Sequence, residues 1–153
     1  MKRLLIALAF AVAATTVHSE PRLLGKWKSD GQRSVVFAKA RAKLEDKTLL
    51  FLEQLLGNMT LTFTRENLIS EMPEVQTESI DGVKSKLVGF SERHPYKIIG
   101  LTENQVAISS VEPVTGRKAI MVFNFDGENT MWVYVGSPSM PDTNFREYFV
   151  RLK

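Results

Sequence analysis

From Met59 onward the chain alternates. Met59, Leu61 and Phe63 take turns with Thr60, Thr62 and Thr64, the period-two signature of a strand with one apolar face and one face of β-branched hydroxyl residues. Arg65–Glu66–Asn67 reads as a tight turn and Leu68–Met72 as the returning strand. Pro73–Gly82 is polar and reads as a loop. Further strands are predicted over Lys84–Glu92, Tyr96–Leu101, Val106–Val111, Arg117–Phe125, Thr130–Val135 and Phe145–Leu152. The separators carry turn chemistry: His94–Pro95, Thr102–Glu103–Asn104, Pro113–Gly116, Asp126–Gly127 and Gly136–Pro141. Ahead of this run, Gly25–Ser29 reads as a first short strand, with Trp27 on one side and Lys26 and Lys28 on the other, broken by Asp30–Gly31.

Between that strand and Met59 the period lengthens. Ser34 is placed to cap a helix over Val35–Lys43, a stretch rich in Ala, Lys and Arg. Asp46 is placed to cap a second over Lys47–Leu56, where Leu49, Leu52, Leu55 and Leu56 recur at spacings of three and four and Phe51 lies beside them. Gly57–Asn58 suits the stop. A helix pair is expected, with a single bent helix as the alternative. The chain is therefore mostly β, an antiparallel meander of short strands that closes into a barrel or folds into a sandwich. No internal repeat or interdomain linker interrupts it.

The first nineteen residues stand apart. Lys2 and Arg3 precede an apolar run over Leu4–Ala14, and Val17 and Ser19 occupy the small-residue positions of a cleavage site. This is the pattern of a secretory signal peptide, with cleavage after Ala14 as a second reading, and the run is short for a spanning helix of about 20 residues. Residues 1–19 are read as signal and 20–153 as one domain. Lys2 and Arg3 are the only charges removed, so Lys+Arg falls from 20 to 18 against 17 acidic residues and net charge from +3 to +1. No electrostatic case for nucleic acid remains. The absence of cysteine excludes disulfides and thiolate-ligated metals. An exported chain without disulfides points to the bacterial periplasm, and no second long apolar segment predicts a membrane span in the mature chain.

Gly25-Lys26-Trp27, then two short helices, then a meander of strands, resembles the calycin group. The expected fold is a calycin-like β-barrel of about 8–10 strands with one or two short helices after the first strand. Lipocalins share the Gly-x-Trp, and their last strand supplies an Arg that packs over the Trp, a part open here to Arg146 or Arg151. The resemblance casts Gly25 and Trp27 as the structural plug of the barrel. Fatty-acid-binding proteins are similar in carrying two helices straight after the first strand, as a lid, and often an Arg-x-Tyr on the final strand that holds a ligand carboxylate. The equivalent here is Arg146-Glu147-Tyr148. The chain is also similar to lipocalin-like domains of the bacterial periplasm, a likeness of fold that implies no particular job.

Two functions follow as expectations. The first is an exported, non-enzymatic binding protein for a small apolar or fatty-acid-like ligand. Arg146 and Tyr148, two apart on a strand, share a face and offer a charged fork and a hydroxyl to a carboxylate, with Trp132 as a further lining residue. The opposite parity, with Phe145 and Phe149 inward, puts Arg146 and Tyr148 outside. The second is a filled barrel whose outer surface binds an envelope protein or an enzyme to be inhibited. No enzyme is expected, and no cofactor or metal. His94 is the only histidine beyond the signal and sits in a polar turn, and no nucleophile elbow, zinc-protease helix or phosphate-cradling glycine loop occurs.

Overall fold

A computed structural model describes residues 20–112, 116–135 and 144–153. The expected signal segment, most of the Pro113–Gly116 turn and most of the stretch before the last strand lie outside the described residues.

Trp27 alternates with Lys26 and Lys28 along β1 (Gly25–Ser29), and the chain then enters two separate helices, α1 (Gly31–Arg41) and α2 (Asp46–Leu55). The meander follows as β2 (Thr60–Phe63), β3 (Asn67–Met72), β4 (Val75–Glu78), β5 (Lys84–Leu87), β6 (Phe90–Pro95), β7 (Lys97–Leu101), β8 (Gln105–Val111), β9 (Lys118–Phe125), β10 (Thr130–Tyr134) and β11 (Arg146–Arg151). Nine of these strands form one antiparallel sheet in the order β6-β3-β2-β1-β11-β10-β9-β8-β7. Its two ends meet, because only Tyr96 separates β6 from β7. One strand thus pairs with β3 along its first half and with β8 along its second. Ser110 Oγ donates to the Pro95 carbonyl at 3.0 Å across that seam. The result is a nearly closed barrel, compatible with a calycin-like fold.

The sequence reading needs correcting at several places, and at α2 the N-cap is Glu45, with Asp46 already the first residue of the helix. Pro73–Gly82 is not all loop: it contains β4, which pairs with β5 as a second, two-stranded sheet. Val75 and Thr77 alternate with Gln76 and Glu78 there, a pattern too short to stand out without its partner. Lys84–Glu92 is two strands rather than one, broken at Val88–Gly89. A Cβ at Gly89 would sit 2.6 Å from Glu74 N and 2.8 Å from Met72 O, so the two arms of the hairpin cross there at a distance only glycine tolerates. His94–Pro95 is no turn, since both residues lie in β6 opposite Leu68 and Asn67. Proline, which has no N–H to donate, ends β6 where the strand changes partner. Finally, α1 starts earlier than expected. Asp30 is its cap, its carboxylate accepting from Arg33 N at 3.0 Å.

Ser34, freed from capping, ties helix to sheet. Asp30 N donates to the Tyr148 carbonyl at 2.7 Å, and Tyr148 N donates to Ser34 Oγ at 2.8 Å. Both groups of Tyr148 belong to the ladder that β1 abandons after Ser29, so α1 takes β1's place beside β11 and continues the wall. At the far side of the helix pair, the Gln54 amide grips β4 in both directions. Its Nε2 donates to Glu78 O at 2.9 Å and its Oε1 accepts from Glu78 N at 2.6 Å, as a strand partner would. The molecule has two storeys: a lower ring of β-strands, and an upper wall that includes α1, α2 and the β4–β5 hairpin.

Candidate functional site

The floor comes first, because it decides where space is left. Trp27 is fully buried, and its Nε1 donates to the Leu23 carbonyl at 2.8 Å. The guanidinium of Arg151 lies 4.2 Å from the centre of its ring and donates to the carbonyls of Leu24 and Arg22 at 2.5 and 2.7 Å. Of the two arginines open to that role, the structure uses Arg151. Gly25 has φ of +114° where the chain turns into β1, and a Cβ there would press on Arg151 Nη1 at 3.2 Å. Phe63, Phe123, Met131 and Phe149 complete a lower core in which each is at most 2% exposed. Edge-on ring contacts at 5.3–6.1 Å join Phe63 to Phe123 and Trp27 to Phe125, a favoured aromatic geometry.

Side chains on the same inner face but nearer the helices are less enclosed. Met59, Met121 and Val133 pack against the core yet stay half-buried. Met72 and Phe90, opposite each other on β3 and β6, are half-buried as well. Leu49, Leu52 and Leu55 recur along α2 as expected, Leu56 caps its end, and none of the four is buried.

Glu147 stands at the boundary between the storeys. Strand register puts it beside Val133 and two positions from Phe149, on the inner face. Protein surrounds it closely, yet it keeps some accessible surface. Ser29 Oγ donates to its Oε1 at 2.5 Å and itself accepts from Gly57 N at 2.9 Å. The carboxyl is thereby linked to the end of the helix pair. Burial pushes the pKa of Glu147 up to about 7, with the Ser29 hydroxyl acting in the opposite direction. Sequence reasoning passed over this residue. The available signal was a single carboxylate between Phe145 and Phe149 on one face of the last strand.

Arg146, Tyr148 and Trp132 come together, and they do so on the outer face. Trp132 is opposite Tyr148 in the β10–β11 ladder, and Arg146 is opposite Tyr134. The Arg146 guanidinium lies 3.9 Å from the Trp132 ring centre, 4.6 Å from Phe37 of α1 and 5.0 Å from Tyr134. Its Nη2 donates to Tyr134 Oη at 2.8 Å, while its Nε is buried without a hydrogen-bond partner. Tyr148 is buried beneath Phe37 and the guanidinium of Arg33. This stack of rings and cations fastens α1 to the barrel from outside.

His94 faces the same side of β6 as Glu92, with Nε2 3.1 Å from Glu92 Oε2. Among the described residues no cluster of three or more metal-ligating side chains forms, and no helix is long and apolar enough to cross a membrane. A shallow groove of about 400 Å³ lies between α2 and the hairpin tip, lined by Phe51, Thr77, Ile80 and Ser85 with Lys47 and Asp81 among its other residues.

The chain matches no protein-family model, and neither a curated protein nor a solved structure is significantly similar to it.

Proposed function

We propose that the protein is an exported, non-enzymatic binding module that holds a small, largely apolar molecule in the upper storey of its barrel. One observation carries this reading: the inner face is fully buried around Trp27, whereas Met59, Met72, Phe90, Met121 and Val133, on the side nearer the helices, are only half-buried, although Phe145 is buried. Ligand sites are concave and mostly apolar with few polar groups, and three methionines give this one an adaptable lining. The lipocalin and fatty-acid-binding resemblance supports it through the Trp27–Arg151 stack and the helices that follow β1. Arg146, Tyr148 and Trp132, which face outward, lie outside the proposed chamber.

The test is to purify the protein natively from the cell envelope and record the mass spectrum of its organic extract. A small apolar compound at near-stoichiometric amount supports the reading. A clean extract, together with no thermal shift from a series of medium-chain alcohols, overturns it.

A second reading has its own observation. Ile120 and Val122 on β9 are 67% and 37% exposed, and Ile99 on β7 and Tyr134 on β10 are exposed too. Such a surface suits a protein partner, and an Ile120→Glu variant that no longer co-purifies with that partner would favour it.

A further inference from the structure

The chamber's fixed charge is of the opposite sign to the one a fatty acid needs. Glu147 is turned inward, and one of its oxygens is occupied by Ser29 Oγ at 2.5 Å. The cationic groups of the neighbouring elements point elsewhere. Arg33 pairs with Asp126 at 2.5 Å and Lys39 with Glu53 at 2.6 Å. Lys28 Nζ donates to the Asn58 carbonyl at 2.7 Å. Arg151, the inward cation of the lower storey, is spent on backbone carbonyls and the face of Trp27. Across the barrel, β6 turns Glu92 and His94 to the inner face, paired with each other. Among the described residues, the inner wall at the level of Ser29 and Ser70 therefore presents carboxylates and hydroxyls, with the His94 imidazole held against Glu92.

We propose that the chamber takes an apolar molecule carrying one amine, whose ammonium group pairs with the Glu147 carboxylate while its hydrocarbon lies along Met59, Met72, Met121 and Val133. This rests on the chamber reading above. An unpaired carboxyl in a low-dielectric site resists ionisation, and an ammonium brought to it supplies the missing counter-charge. When Glu147 starts protonated, the incoming ammonium keeps its protons and the carboxyl proton passes to solvent. Binding then releases up to one proton near neutral pH and none well above it.

Three probes of equal chain length decide the matter: decylamine, decanol and decanoate, each titrated below its micelle concentration into the full protein at about pH 8 by calorimetry. Decylamine is expected to bind at least about tenfold more tightly than decanol, the size of a charge-assisted contact, and decanoate most weakly. Glu147→Gln should bring decylamine down to decanol's affinity while leaving decanol's own affinity unchanged. Near pH 7, decylamine titrations in buffers of different ionisation enthalpy should show proton release that the variant lacks. Decanoate binding as well as decylamine overturns the amine proposal and leaves the chamber standing, and so does an undiminished amine preference in the variant. Failure of all three probes to bind overturns both.

Discussion

Replacing Glu147 with Gln should make the protein more stable at neutral and alkaline pH, although it removes a hydrogen-bonded group from the interior. The reason is linkage. Burial raises the carboxyl from its ordinary 4.5 to about 7, so between those values the native state holds a proton that the unfolded chain has lost. Stability from this group therefore falls as pH rises through that window. Below it both states are protonated and the penalty vanishes. Above it both are ionised and the penalty is complete, on the order of 3 kcal/mol at about 1.4 kcal/mol per pH unit. Glutamine has no charge to lose, and its amide oxygen still accepts from Ser29 Oγ. Urea unfolding of both proteins at about pH 5 and pH 8 isolates the effect, since the other carboxylates act on both alike. The expected result is a variant close to wild type at the lower pH and more stable by up to about 3 kcal/mol at the higher. Stability curves that run parallel across the range would refute the placement of Glu147 in a buried, unpaired site.

Other substitutions test separate parts of the structure. Trp27→Ala should cost about 3–5 kcal/mol in urea unfolding, the range for a buried aromatic removed from a packed core, because it also strips the Arg151 stack and the bond to Leu23. Ser29→Ala should move the Glu147 carboxyl further up, read by NMR titration of labelled Glu, since the hydroxyl is the group holding it down. It should also cost about 1–3 kcal/mol because Gly57 N–H loses its acceptor. Gly89→Ala places a Cβ 2.6 Å from Glu74 N, so hydrogen exchange should speed up in β4 and β5 ahead of the rest. Arg146→Met keeps the hydrocarbon stem but loses the ring stack, about 0.5–2 kcal/mol of stability, and should leave decylamine affinity unchanged because Arg146 faces outward.

The barrel was legible because its signals are local. Alternation at Met59–Thr64 set one strand, leucines at spacings of three and four set α2, and the Gly25-x-Trp27 pair marked where the floor would be. What the sequence could not supply was parity. Arg146 and Tyr148 share a face either way, and only the register of β11 with β1 and β10 says that Phe149 and Glu147 point inward. The two faces of that strand look alike in sequence, each carrying aromatic and charged residues, so no alternation rule separates them. The β4–β5 hairpin escaped for a related reason. Four-residue strands reading Val-Gln-Thr-Glu and Lys-Ser-Lys-Leu carry little hydrophobic signal, and their pairing with each other, with Gln54 gripping the edge, exists only in three dimensions. His94–Pro95 misled because a proline that ends a strand at a barrel corner looks the same in sequence as one that starts a turn.

The central claim is that the upper storey admits a small apolar molecule while the floor stays sealed, and the methionines report on both. Methyl NMR of the protein labelled at Met follows Met59, Met72 and Met121 along the proposed chamber and Met131 in the fully buried floor. On addition of decanol, the first three methyl signals should shift together with one binding curve and that of Met131 should stay in place. Signals that do not move, or movement confined to labelled Ile120 on the outer face, would contradict the account.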